Sequence, residues 1–419
     1  MSTSEIEEEK IHFSNVISTF LSYETYSLAV NNRRRKDLYT LPQADQDLLA
    51  EIGYKEKLEE VDRAIVSNAD FLKKLVADPE IFGHDLSPEG DEDSSLPASQ
   101  GQVHSHVHDR SRGHGHGHDH GSIHGQEQGH GHGPFHGEGL GHGHDPGRYK
   151  STEFDMDKLR STLKQFVRDW STEGQEERET TYAPMKEALL EHFSGISEED
   201  RRKLRVLVPG AGLGRLAYDV AKLGFSCQGN EFSHYMLLAS FFILNKNDQI
   251  GQHTIYPYVH TFSNVANRAA MLRAISIPDV LPSDLPPNSN FSLVAGDFEE
   301  VYGVESEESE PQSGQWDAIL TCFFIDTAKN IVNYLRIMHK ILTPGGVWIN
   351  VGPLLWHWEN NSTNDPSVEL DLEEVKELAR KIGFDISNEK TIDTTYTNNS
   401  EGMLGYIYHA AFWTATKRT

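Results

Sequence analysis

The chain predicts a doubly wound α/β fold, a mostly parallel seven-stranded sheet with helices on both faces. Three observations carry that expectation. From residue 205 onward, short β-branched and apolar runs alternate with amphipathic helical stretches, the order that winds a parallel sheet. One run, Arg205-Val-Leu-Val-Pro209, ends in glycines at alternate positions, Gly210, Gly212 and Gly214, and then turns into a helix. Two further apolar runs near the C-terminus read as a hairpin-like pair that closes the sheet.

In chain order, residues 11–82 read as helices. Phe13, Val16, Ile17, Phe20 and Leu21 recur at helical spacing, as do Leu58, Val61, Ala64 and Ile65, then Phe71, Leu72 and Leu75. Residues 1–85 are therefore expected to form a helical region packed on the C-terminal domain. Composition changes abruptly over 86–150, where Gly, His, Asp, Glu, Ser and Pro leave almost nothing to bury, and a disordered insertion is expected. Thirteen of the 22 histidines lie between His104 and His144. Such a tract captures divalent metal weakly and adventitiously, because flexible, repetitive spacing offers no fixed ligand set. Order returns in 151–419. Leu159, Leu163, Phe166, Val167 and Trp170 stripe a helix that carries Gln165 and Arg168 on its flank. Strands are expected at 205–209, 225–229, 291–295, 316–323, 347–352, 384–390 and 406–414, with helices at 216–223, 233–244 and 372–382 and a helix opened by residues 324–327.

Acidic residues outnumber basic ones, 64 to 38, for a formal charge of −26. That balance repels phosphate backbones and disfavours a nucleic-acid substrate. The basic run Arg33-Arg34-Arg35-Lys36 reads as a solvated helix end. Two cysteines, Cys227 and Cys322, point to a reduced compartment, and no apolar run approaches a membrane span. The expectation is a cytosolic protein without membrane contact, with nuclear access left open.

Ligands of an open α/β sheet bind beyond the carboxyl ends of the strands, at the topological switch. Four motifs fall there. The alternating glycines depart from the dinucleotide spacing, since Arg215 stands where the last glycine would fall. They suit a small carboxylate and amine better than a pyrophosphate, which points to S-adenosylmethionine. Glu231, at the end of the second strand, would take ribose hydroxyls, and Asp297-Phe298 would hydrogen-bond and cover the adenine. The stretch from Cys322 to Asp326 faces the place where a transferred methyl would emerge. Taken singly, each acid could equally be a helix cap. A nicotinamide-dependent oxidoreductase shares the strand, glycines and acid, but not the glycine spacing or the Gly-Asp-Phe motif.

Longer motifs narrow the reading. Gln165-Phe-Val-Arg168-Asp-Trp170, Val208-Pro-Gly-Ala-Gly-Leu-Gly-Arg-Leu216, Gln228-Gly-Asn-Glu231, Ala295-Gly-Asp-Phe298, Thr321-Cys-Phe-Phe-Ile-Asp-Thr-Ala328 and Gly352-Pro-Leu-Leu-Trp-His357 resemble the carnosine N-methyltransferase family. The likeness runs from about residue 158 to the C-terminus and leaves the His-rich insertion outside the family's pattern. It implies a Rossmann-like S-adenosylmethionine-dependent methyltransferase whose acceptor is the imidazole of a histidine dipeptide. It also implies a cofactor site of Gln165, Arg168, Gly210, Glu231, Asp297, Phe298 and Cys322, with Arg168 pairing with the cofactor carboxylate. Asp326 would accept the N–H of the acceptor imidazole and fix its tautomer, with the N-cap of the following helix as the alternative. His357, Tyr408 and Tyr406 would line the dipeptide site, although both tyrosines could instead be sheet-face packing. The resemblance also implies a homodimer. Methylation of histidine in peptides or proteins would use the same imidazole chemistry, and a non-catalytic metal-binding protein would rest on the His tract alone.

Overall fold

The computed structural model describes residues 3–77, 149–304, 312–361 and 366–419. The His-rich tract and most of the acidic stretch near 304–314 lie outside them. The chain begins with helices α1 (Thr3–Thr40), α2 (Gln43–Glu51) and α3 (Tyr54–Leu75), and resumes with α4 (Glu153–Trp170) and α5 (Gln175–His192). Then come β1 (Arg205–Pro209), α6 (Arg215–Lys222), β2 (Ser226–Glu231), α7 (His234–Asn245), β3 (His253–Ile255), α8 (Arg268–Met271) and β4 (Ile275–Ile277). The rest comprises β5 (Phe291–Ala295), α9 (Phe298–Gly303), β6 (Trp316–Cys322), α10 (Ile331–Ile341), β7 (Leu342–Gly352), α11 (Leu372–Ile382), β8 (Phe384–Thr394) and β9 (Tyr408–Lys417).

Seven strands form one sheet in the order β5-β2-β1-β6-β7-β9-β8, and β3 pairs with β4 in a separate antiparallel ribbon. The five strands from β5 to β7 are parallel, while β9 runs antiparallel to both neighbours. The chain builds outward from β1 through β2 to β5, then crosses back to β6, so the switch point lies between β1 and β6.

Alternation explains why the central strands read as continuous apolar runs. Val206, Val208, Ala318, Leu320, Val347, Ile349 and Val351 face the layer of α5 and α6, whereas Leu207, Ile319 and Trp348 face α9, α10 and α11. The N-terminal helices share a core with the rest. Phe13, Phe20, Val61, Phe71 and Leu72 are buried together with Leu159, Leu163 and Phe166 of α4 and Leu238 of α7.

Several sequence expectations shift. Strand β7 begins five residues earlier than expected, because Leu342 already pairs with Trp316 ahead of an irregularity in the ladder. Strand β9 begins at Tyr408, so Tyr406 lies outside it and is exposed. Residues 325–327 form only a 3₁₀ turn, and the helix proper, α10, is capped by the Asn330 side chain on the Val332 N–H. Helix α5 carries Pro184 in its interior, and its buried face mixes Arg178 and Thr181 with Tyr182, Met185 and Leu189, which weakens its apolar signal. Among the described residues, no helix is long and apolar enough to cross a membrane.

Candidate active site

The glycine turn after β1 forms one wall of the site. Gly210, Gly212 and Gly214 hold φ of 64°, 55° and 80°, values that side chains with a Cβ rarely adopt. At Gly210 a Cβ would also stand 2.6 Å from the Phe324 ring, so the turn lies directly against the end of β6. The Gly212 N–H donates to Glu231 Oε2 at 2.8 Å, and Glu231 Oε1 accepts from the N–H groups of Phe232 and Ser233. This places the carboxylate at the end of β2 beside the turn.

The last turn of α4 lies over the glycines. Trp170 Nε1 donates to the Leu213 carbonyl at 3.0 Å, and Arg215 Nη1 to the Asp169 carbonyl at 2.8 Å, fastening helix to turn. Arg178 Nη1 holds the carbonyls of Arg168 and Ser171 from the other side. Arg168 is buried and donates to Asp169 Oδ1 (3.0 Å), the Tyr182 hydroxyl (2.8 Å), Thr181 Oγ1 (3.3 Å) and Cys322 Sγ (3.9 Å). Gln165 Nε2 donates to Asp169 Oδ2 at 2.9 Å and its Oε1 accepts from the Tyr396 hydroxyl at 3.1 Å. A Cβ on Gly212 would lie 3.6 Å from Gln165 Nε2 and 3.7 Å from Asp169 Oδ2, so bare backbone meets a polar cover there. A guanidinium, a carboxylate, an amide and backbone N–H groups around glycines fit the amino-acid part of S-adenosylmethionine.

Asp297 and Phe298 sit one strand further out. The Gly296 N–H donates to the Glu231 carbonyl at 2.9 Å, which joins the ends of β2 and β5. Asp297 Oδ1 caps α9 through the N–H groups of Glu299 and Glu300. The Phe298 ring is buried, 5.4 Å from Phe324 and 5.0 Å from Tyr334.

The other cluster of candidate residues forms around Asp326. The loop after β7 folds onto its turn, with the Leu355 N–H donating to Asp326 Oδ2 at 2.9 Å and the His357 N–H to its carbonyl at 3.1 Å. Asp326 is 3% exposed. Burial pushes its carboxyl up to about 7, against the opposing pull of the backbone N–H of Leu355 and its own. Asn330, not Asp326, takes the cap of α10. Tyr408 is near: burial first, then the Asp326 charge, raises its phenol. Its ring meets Phe323 edge-on at 5.6 Å, and Tyr396 meets the same ring at 4.7 Å. Phe323 itself holds φ of 53°, a strained conformation for an aromatic residue at the site's centre.

The structure thus brings together Gln165, Arg168, Gly210, Glu231 and Cys322 on one side, and Asp326, His357 and Tyr408 on the other. Tyr406 is exposed and precedes β9. Three residues went unread in the sequence: Asp169, Tyr396 and Glu177. Glu177 accepts from Thr395 Oγ1 and the N–H groups of Thr397 and Asn398, fixing the segment that carries Tyr396. Nothing in a local pattern marks them, since their partners are far away in sequence. Among the described residues, no group of three His, Cys, Asp or Glu side chains could hold a metal ion.

Known proteins are similar to this chain over most of its length. The family described as Carnosine N-methyltransferase matches residues 147–419. The carnosine N-methyltransferase of Mus musculus is 37% identical over 419 residues, covering 99% of this chain and 88% of its own length. That of Schizosaccharomyces pombe is 50% identical over 62% of this chain and 70% of its own. The protein of the same name from Dictyostelium discoideum is 36% identical over 96% of this chain and 75% of its own.

Proposed function

The chain belongs to the carnosine N-methyltransferase family, and from that premise we propose that it methylates an imidazole nitrogen of carnosine or a related histidine dipeptide, with S-adenosylmethionine as donor. It is an S-adenosylmethionine-dependent N-methyltransferase. The observation that carries the proposed site is the buried Asp326 carboxylate, set at the end of β6 beside His357 and Tyr408 and one strand from the glycine turn.

Bound S-adenosylmethionine supplies an electrophilic methyl group on a sulfonium. The chain's part is to bind, orient and control protons. Gln165, Arg168, Gly210 and Glu231 hold the amino-acid and ribose ends, and Cys322 and Phe324 close the floor. Asp326 accepts the N–H of the acceptor imidazole, leaving the lone pair on the other ring nitrogen free to attack. As positive charge develops on the ring, the same carboxylate stabilises it in a site with little water. Tyr408 and His357 fix the ring and the dipeptide's polar groups. No covalent intermediate on the chain is needed, so positioning and tautomer control account for the acceleration.

The test is mass spectrometry of products after incubation with S-adenosylmethionine and carnosine, beside other histidine dipeptides, free histidine and a histidine-containing protein extract. A methylated dipeptide, with the methyl located by fragmentation, is the expected result. Methylation of protein alone would move the acceptor to polypeptide histidine, and no transfer to any of them would refute the reading. Homodimerisation and weak metal capture by the His-rich tract are proposed with it, to be read by light scattering and by nickel binding.

A further inference from the structure

We infer that Asp169 binds the cofactor directly, its Oδ2 accepting from the α-ammonium group of S-adenosylmethionine. This rests on reading the site as a methyl-donor site, and it assigns the residue that recognises the amine.

Three observations support the assignment. First, Asp169 is 1% exposed, and a carboxylate so deeply buried needs its oxygens satisfied. Its Oδ1 accepts from Arg168 and from the Tyr182 hydroxyl, at 3.0 and 3.2 Å. Among the described residues Oδ2 accepts one hydrogen bond, from Gln165, although a carboxylate oxygen can take two. Second, Oδ2 is directed at the glycine turn, 3.7 Å from where a Gly212 Cβ would stand. Third, two carboxylates flank one guanidinium, Asp169 and Glu177 lying 3.0 and 3.6 Å from Arg168. The cofactor's amino acid brings one charge of each sign, so its α-ammonium has a carboxylate to meet at Asp169 while its own carboxylate meets Arg168.

The position is also rigid. Arg215 holds the Asp169 carbonyl, Arg178 holds those of Arg168 and Ser171, and Asp279 bridges the two arginines. Asp169 is therefore presented at a fixed height over Gly212 by the same fastening that seats α4.

Calorimetry on the full chain tests the assignment, using S-adenosylhomocysteine, its analogues lacking the amino or the carboxyl group, and 5′-methylthioadenosine, which lacks the whole amino acid. The wild type should lose roughly 10- to 100-fold in affinity when the amino group is removed, the range of one charge-assisted hydrogen bond. Asp169→Asn should lose as much for S-adenosylhomocysteine, lose nothing more when the amino group is then removed, and bind 5′-methylthioadenosine as the wild type does. Asp169→Glu keeps a carboxylate beside Arg168 and displaces it, so it should weaken S-adenosylhomocysteine but not 5′-methylthioadenosine even if the Asn variant does not fold. Equal wild-type affinity with and without the amino group overturns the assignment. So does an equal loss for 5′-methylthioadenosine in the variants, which would make Asp169 only the counter-ion of Arg168. A wild type that binds none of these adenosyl compounds refutes the methyl-donor reading itself.

Discussion

In the proposed reaction Asp326 must be ionised to accept the imidazole N–H, and burial pushes its carboxyl up to about 7 from the ordinary 3.8. The acceptor imidazole must also be neutral, and its ordinary value is about 6.5. Both protons have to leave before the productive pair forms, so kcat/KM for the dipeptide should climb with a slope approaching two in log units well below neutrality. The slope should flatten above about pH 7.5. At pH 6 about one tenth of Asp326 and about one quarter of the imidazole carry the required charge state, roughly a fortyfold loss from the plateau. Asp326→Asn should abolish most turnover, and the residual rate should follow the imidazole alone with a slope of one. The assay is initial rate against pH at low dipeptide concentration and saturating S-adenosylmethionine, with the two values treated as belonging to the pair. A wild-type limb of slope one, set only by the imidazole, would refute the reasoning, since Asp326 would then be ionised throughout.

The same residue makes a stability prediction. Its folded value is raised, so the stability it contributes is fully present below about pH 3.8 and lost as pH rises through about 7. The penalty above pH 7 is about 4 kcal/mol, and Asp326→Asn should become progressively more stable than the wild type in urea unfolding between pH 5 and 8. Gly210→Ala forces a Cβ to within 2.6 Å of Phe324 at φ of 64°, and should cost about 1–3 kcal/mol of stability and weaken S-adenosylmethionine in calorimetry. Arg168→Ala strands the buried Asp169 carboxylate; a loss of about 3–5 kcal/mol on denaturant unfolding is expected, with weaker S-adenosylmethionine binding. Deletion of residues 86–148 should leave turnover of the dipeptide unchanged while removing nickel capture, and lost turnover would give the tract a role in the reaction.

What the sequence determined by itself were features written in short-range pattern. Apolar runs buried on both faces of the sheet, the glycines at 210, 212 and 214, and the acid ending β2 are each legible within a few residues, because backbone geometry is set locally. Helix α5 and the short ribbon of β3 and β4 were not, since α5 holds an internal Pro184 and polar residues on its buried face, and three-residue strands are too short to show a period. Tertiary structure alone showed that Asp326 is not the helix cap: Asn330 takes that place, and the loop bearing Leu355 and His357 closes over the turn and desolvates the Asp326 carboxylate. It also decided that Asp297 spends one oxygen on a cap, and that Tyr406, which a strand pattern had grouped with Tyr408, stands outside β9. The position of Asp169 over Gly212 belongs to the same class, being fixed by Arg215, Arg178 and Asp279, residues brought together from separate parts of the chain. Burial, pairing and charge balance depend on which distant segments meet, and that information exists only once the chain has folded.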